Sequence, residues 1–397
     1  MSKVVVTGMG VVSAIGIGVP ANLQRLRAAQ SGIRLPEHVG TRYAEHMMMG
    51  EVEASDADLF AQLNLADTHG ITRTELLAFM AFREAVAQAG LTDTQISASD
   101  TALISATTVG GMVQAQALYD DAHAISNATE FAASYRSGAH TLRLAQGYRM
   151  RGYTDTINTA CSSSANAIMI GARLLKAGRA RRVIVGGTDS LSKYTVNGFN
   201  ALQILSDVPT RPFSADRKGL SLGEGAAYLV LEREDDLSER KALACVSGYA
   251  NRCDAYHPSS MSPEAIGVIG AMTGALQVAG LAPSDIDHVN THGTGTQNND
   301  YTELFGLEQV LGTVPPFFST KSYTGHTLAA AGAVEAVFSI LSILHGEVWP
   351  SLHFTSPIEG LHHSPNTQML AGLDIRHVMS NSFGFGGNCS SVIYSKL

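Results

Sequence analysis

Ala85-Val86-Ala87-Gln88-Ala89-Gly90-Leu91 returns later in the chain as Ala275-Leu276-Gln277-Val278-Ala279-Gly280-Leu281, and each copy is followed at the same distance by isoleucine, Ile96 and Ile286. Each copy reads as a helix stopped by glycine, then a short polar turn, then a β-rich run, over 101–105 in one and 288–291 in the other. A recurrence at nearly half of the 397 residues predicts an internal duplication. The plainer alternative is an alanine-rich helix with a glycine stop that recurs by chance. Outward from the repeat, 2–7, 102–105, 183–186 and 226–231 read as strands buried on both faces or nearly so. The segments 165–177 and 334–344 read as helices that are apolar nearly all round, as the central layer of an α/β protein requires. No Pro- or Ser-rich linker divides the chain, so two halves sharing one core are expected.

Composition narrows the class of function. Hydrophobic residues make up 45% and charged residues 16%, which describes a globular chain with a large core. A net charge of −8 with a pI near 5.9 argues against nucleic acid as a partner. No basic-plus-apolar leader precedes Val4, and the apolar run 333–344 is short and interrupted by Glu335 and serines. The expectation is therefore a cytoplasmic protein without a membrane span. Cysteines at 161, 245, 253 and 389 form no CxxC pair, so neither a zinc site nor a disulfide framework is expected.

Cys161 lies in Asn158-Thr159-Ala160-Cys161-Ser162-Ser163-Ser164-Ala165, between a β-branched segment and a helix-forming run. A thiol where a strand turns into a helix meets unpaired N–H groups and the positive end of the helix dipole, which favour thiolate. The bland alternative is a small buried hydrophobe. Downstream, Val289-Asn290-Thr291-His292-Gly293-Thr294-Gly295-Thr296 ends an apolar strand in histidine. Ser319-Thr320-Lys321-Ser322-Tyr323-Thr324-Gly325-His326 then opens a second small-residue helix. Of 14 histidines, only His292 and His326 sit at such glycine-flanked turns. One Cys and two His so placed are the components of a covalent acyl-transfer site.

At these residues the chain resembles the elongating β-ketoacyl-(acyl-carrier-protein) synthases of the thiolase superfamily. The likeness runs from Val4-Val5-Val6-Thr7-Gly8-Met9-Gly10, through Arg211-Pro212-Phe213 and Gly219-Leu220-Ser221-Leu222-Gly223-Glu224-Gly225-Ala226, to Asn381-Ser382-Phe383-Gly384-Phe385-Gly386-Gly387. It implies an α/β, thiolase-like duplicated five-layer α-β-α-β-α fold with two mixed sheets. Residues 1–240 would carry the nucleophile and 241–397 both catalytic histidines.

The resemblance also implies the chemistry. Cys161 holds the growing acyl group as a thioester, and His292 and His326 donate hydrogen bonds to the malonyl thioester during decarboxylation. Lys321 and Glu303 match the family's structural ion pair, and Phe383 takes a supporting place. Thr294 and Thr296 match hydroxyls that contact phosphopantetheine. Phe385 matches a gating aromatic whose backbone N–H joins that of Cys161 in an oxyanion hole. Val109 and Phe199 match acyl-pocket positions, although core packing is the commoner role for such residues. No bound cofactor or metal is implied. The substrates ride on the phosphopantetheine of acyl carrier protein, and the chain dimerises with itself or with a ketosynthase-like partner.

Three departures mark a divergent branch, one making pigments or polyenes alongside or instead of membrane fatty acids. After His292-Gly293-Thr294 many members have Ser-Thr-Pro and a glycine before the aspartate, where this chain has Gly295-Thr296-Gln297-Asn298-Asn299-Asp300. The usual Gly-Gly-Thr-Asn is Gly386-Gly387-Asn388-Cys389, and Gly325-His326 is followed by Thr327-Leu328-Ala329, where the family usually ends in glycine. Two alternatives stay open. A coenzyme A-dependent thiolase-like enzyme would need a second cysteine near the C-terminus, a place Cys389 approaches. A non-catalytic chain-length subunit would lack the nucleophile.

Overall fold

The computed structural model describes residues 2–65, 68–124, 130–237 and 240–397. The first half contributes strands β1 (Val4–Ser13), β2 (Thr101–Ala106), β3 (Thr154–Ile157), β4 (Arg182–Asp189) and β5 (Gly225–Arg233). The second contributes β6 (Ala244–Cys253), β7 (His288–Asn290), β8 (Phe317–Phe318), β9 (His377–Gly384) and β10 (Asn388–Ser395). Spatial order is β3-β2-β4-β5-β1 in one half and β8-β7-β9-β10-β6 in the other, the same order repeated. The sense of pairing repeats as well. β2 runs parallel to β3 and β4, as β7 does to β8 and β9, while β5 and β10 are antiparallel to both their neighbours.

Five helices build the layers: α1 (Arg73–Gln88), α2 (Ser163–Lys176), α3 (Ile266–Ala279), α4 (Gln297–Leu311) and α5 (Ala331–His345). The repeated Ala-rich motif has a packing cause. A Cβ on Gly8 of β1 would stand 2.2 Å from the Ala85 carbonyl oxygen and 2.7 Å from the Ala89 Cβ. A Cβ on Gly248 of β6 would stand 2.3 Å from the Ala275 oxygen and 2.8 Å from the Ala279 Cβ. In each half a glycine in the first strand lets the backbone of the covering helix, lined by alanine, come into contact.

Helices α2 and α5 lie side by side between the two sets of strands. Ile168, Leu175, Val334 and Phe338 share one core with Val183 and Val185 on one side and Val378 and Val392 on the other. Ile184, on the opposite face of β4, packs outward with Leu76, Phe82 and Val86. In the second half Val268, Met272, Leu304 and Leu307 cover Val289, Met379 and Ile393. The layers are thus α1, strands, α2 with α5, strands, α3 with α4. The resemblance implied two sheets; here they join into one through a short antiparallel contact, Val5 opposite Cys245 and Val6 opposite Ala244.

The segment Leu328–His345, α5 with the turn before it, is long and apolar enough to cross a membrane, with a mean hydropathy of 1.8. Yet 89% of it is buried within the protein. Its apolar surface is the central layer.

Candidate active site

Cys161 sits on a sharp strand-to-helix turn. β3 ends at Ile157, α2 begins at Ser163, and Ala160 between them adopts φ 52°, in the left-handed region. The Thr159 N–H donates to the Ser163 hydroxyl at 2.8 Å, which closes the turn. The second half also turns sharply before its helix: Gly325, with φ 68°, precedes His326, and Leu328, with φ 53°, stands three residues before α5 as Ala160 stands before α2. Glycine takes that conformation freely, whereas Ala160 pays about 1–2 kcal/mol for it.

His292 follows β7 on a loop whose backbone is held by two buried carboxylates of α4. Glu303 accepts the N–H groups of His292 and Gly293 at 2.8 Å each, and Asp300 accepts those of Thr294 and Gly295 at 3.0 and 3.1 Å. The loop therefore presents its histidine from a rigid backbone. One ligand atom from each of Cys161, His292 and His326 lies within 4.8 Å of the others. The two imidazoles meet edge to face at 5.4 Å, and Phe383 sets its ring against His292 at 5.8 Å.

Both tautomers follow from the hydrogen bonds. The Lys321 ammonium donates to His292 Nδ1 at 3.3 Å, and the Leu328 N–H donates to His326 Nδ1 at 3.3 Å. With each Nδ1 accepting, each proton resides on Nε2. Burial, and then the nearby Lys321 charge, hold both rings well below the ordinary histidine range, so they are neutral donors near pH 7.

Two expectations are corrected. Lys321 does not pair with Glu303; its salt bridge is to Glu335, buried on α5. Glu303 is occupied by backbone N–H groups, and burial raises its carboxyl to about 8. Nor does the turn favour thiolate at rest. Cys161 is 5% exposed, and burial pushes its thiol up to about 11. Lys321 and the N–H groups of Phe385 and of Cys161 itself pull the other way but are outweighed.

A cavity of about 270 Å³ opens on Cys161, His292 and His326 and is also lined by Thr294, Thr296, Phe383, Phe385 and Phe199. The Thr294 and Thr296 hydroxyls are 2.9 Å apart. Phe385 stacks on Phe199 at 6.0 Å with 20° between the rings. Val109 does not reach this cavity's wall. It is buried in an apolar cluster with Met49, Val196, Leu220 and Leu328, against which Phe199 packs. Cys389 lies behind the second set of strands beside Met261 and lines no part of the cavity.

Glu335 and Asp189 were not legible as site residues. A single carboxylate inside the apolar α5 was the available signal for Glu335. Asp189, at the buried end of β4, accepts from the Thr107 and Thr108 hydroxyls at 2.6 Å each and from the Ala329 N–H at 2.9 Å. It thereby ties the loop after β2 to the turn before α5. The Cys161, His292 and His326 donors also have the composition of a metal site. The Lys321 ammonium against His292 opposes a second cation there.

A neutral thiol beside two neutral, oriented imidazoles at the meeting of two duplicated halves defines the class, and comparison gives the family. Residues 1–237 match the family described as Beta-ketoacyl synthase, N-terminal domain, and residues 243–355 match Beta-ketoacyl synthase, C-terminal domain. The chain belongs to the β-ketoacyl synthase family. It is 33% identical to a 3-oxoacyl-[acyl-carrier-protein] synthase 2 of Coxiella burnetii, over 100% of this chain and 99% of that one. It is 31% identical to the protein of the same name in Vibrio cholerae, over 100% and 99%. Among solved structures, the ishigamide ketosynthase/chain length factor superposes with a TM-score of 0.93 at 30% identity, over 100% and 99%. A ketosynthase in complex with its chain length factor from Xenorhabdus doucetiae gives 0.88 at 31%, over 100% and 98%.

Proposed function

We propose that the chain is a β-ketoacyl-acyl-carrier-protein synthase that extends an acyl chain by decarboxylative condensation with a malonyl thioester. The observation that carries this reading is the pair of neutral imidazoles, each with Nδ1 occupied and Nε2–H free, beside the Cys161 thiol. In the loading step the Cys161 sulfur bonds to the acyl carbonyl carbon, and the carbonyl electrons move to oxygen. The N–H groups of Cys161 and Phe385 receive that oxyanion. Collapse expels the carrier's pantetheine sulfur, which leaves with the proton from Cys161. In the second step His292 and His326 hydrogen-bond the malonyl thioester oxygen. The bond to the carboxylate breaks, carbon dioxide departs, and the electron pair remains as an enolate. Its carbon attacks the acyl carbonyl, and Cys161 leaves as thiolate and regains a proton.

In this scheme residues 1–240 supply the nucleophile and 241–397 both histidines. Thr294 and Thr296 contact the phosphopantetheine arm, and Lys321 acts through His292 as a positioning residue. Phe385 against Phe199 forms the gate between the cavity and the apolar cluster around Val109, where the acyl chain lodges. The partners are acyl carrier protein and a second ketosynthase-like chain, in the cytoplasm. No bound cofactor or metal enters any step.

A second reading is the active half of a heterodimer, and β3 supports association with a second chain, identical or not. Among the described residues this edge strand pairs with β2 alone, all four of its residues are partly exposed, and it leads directly into the Cys161 turn. A polyene or pigment product is our reading of the sequence departures. Intact-protein mass spectrometry after incubation with a panel of acyl carrier proteins tests the function. The wild-type chain gains an acyl mass, Cys161→Ala gains none while melting normally, and loading of the variant at the wild-type rate overturns the assignment.

A further inference from the structure

Between β9 and β10 the chain turns through Phe385-Gly386-Gly387, with Gly384 and Asn388 paired across its base. The Phe385 N–H thus hangs from a turn that has Asn388 as one foot. The other N–H of the oxyanion hole belongs to Cys161, on a different half of the molecule. The two backbones come close at Gly384, where a Cβ would stand 2.7 Å from the Thr159 carbonyl oxygen and 3.2 Å from the Cys161 nitrogen. Contact alone leaves them free to slide. A polar tie does not.

That tie is the Asn388 side chain. Its Oδ1 accepts from the hydroxyl of Ser162, the residue after Cys161, at 2.7 Å. It also accepts from Asn166 Nδ2 in the first turn of α2 at 2.9 Å and from Asn251 Nδ2 on β6 at 2.6 Å. Ser390 closes the network by donating to Asn166 Oδ1 at 2.8 Å. Ser162, Asn166 and Ser390 are buried, so water does not replace these partners freely. Gly384, Phe385, Gly386 and Gly387 have no polar side-chain atom, which leaves Asn388 alone in the turn to make such a bond.

We propose that Asn388 is the positioning residue that holds the Phe385 and Cys161 N–H groups at a fixed separation, and so sets the strength of the oxyanion hole. This rests on the reading of those two N–H groups as the hole. Asn388 touches no substrate and acts through the two turns. An oxyanion forms only in the transition state, so the effect belongs to kcat and not to KM.

The test compares Asn388→Thr with Asn388→Val, which have the same shape and differ in one hydroxyl acceptor. The readouts are the rate of acyl transfer to Cys161 from acyl carrier protein and the rate of Cys161 alkylation by iodoacetamide, a displacement that forms no oxyanion. We expect the valine variant to load acyl groups about 10- to 100-fold more slowly than the threonine variant, at equal KM and with a much smaller fall in alkylation, which reflects only the Phe385 N–H's support of the thiolate. Equal acyl transfer overturns the proposal. A parallel fall in alkylation also overturns it, because the nucleophile's turn is then simply disordered. Absence of any adduct on wild-type Cys161 overturns the underlying reading instead, and the proposal falls with it.

Discussion

The two halves share strand order, pairing sense and even the glycine under the covering helix, yet they perform different chemistry at matching places. At the turn before the central helix, the first half carries Cys161 after Ala160, and the second carries His326 after Gly325; each turn also holds a left-handed non-glycine residue three places before its helix, Ala160 and Leu328. At the loop after the matching strands β2 and β7, the first half carries Val109 among apolar neighbours, and the second carries His292 with the charged Lys321 and Glu335 behind it. One scaffold therefore presents a buried thiol and an apolar cluster on one copy, and two neutral imidazoles with their electrostatic support on the other. Duplication kept the geometry while the side chains divided the work.

That division is open to direct attack from the second half. His292→Ala and His326→Ala should keep measurable acylation of Cys161 but lose about 100- to 1000-fold in condensation, the cost of removing one such donor. Separate loading and condensation assays check this, and normal condensation in either variant would break the comparison at its centre.

Lys321→Met strands the buried Glu335 carboxylate and should cost about 3–5 kcal/mol of stability, read as a lower denaturant midpoint. Adding Glu335→Gln should recover much of that stability while condensation stays slow, because His292 Nδ1 still lacks its donor. Recovery of both together would make Lys321 structural only.

In the first half, Val109→Gly should admit longer acyl chains and Val109→Phe exclude them, with selectivity shifting by roughly 10- to 200-fold. Competition between short and long acyl carrier proteins, read by mass on Cys161, measures it. An unchanged profile in folded variants would return Val109 to plain packing. The smallest effect is expected at Ala160→Gly. Relief of the left-handed strain, set against the greater freedom of glycine in the unfolded chain, should leave a net change of about 1 kcal/mol or less in thermal melts.

Much of this was legible in the sequence because the central elements have no solvent face. β4 reads as an apolar run and α5 as a helix apolar nearly all round, and the Ala-rich repeat marked the duplication since packing against glycine constrains it. Cys161, His292 and His326 stood out through the turn residues around them. Lys321's partner did not, because its salt bridge joins a short turn to the middle of a helix, and Glu335 read as an interruption of an apolar run. The protonation of Cys161 was misjudged for a related reason. Local sequence displays the helix start, while the burial that dominates is set by tertiary packing. The contact of β1 with β6, which fuses the sheets, spans only two residue pairs and has no pattern of its own.

The position of α5 in the chain bears on how the protein reaches this state. Two of the strands it covers, β9 and β10, are synthesised after it, so an apolar segment of membrane-spanning length leaves the ribosome before one side of the surface that shelters it exists. Closure of the central layer then depends on contacts between distant parts of the chain, the kind that form slowly. Until β9 and β10 arrive, α5 is the segment on which a holding chaperone would act, and aggregation during synthesis would begin there.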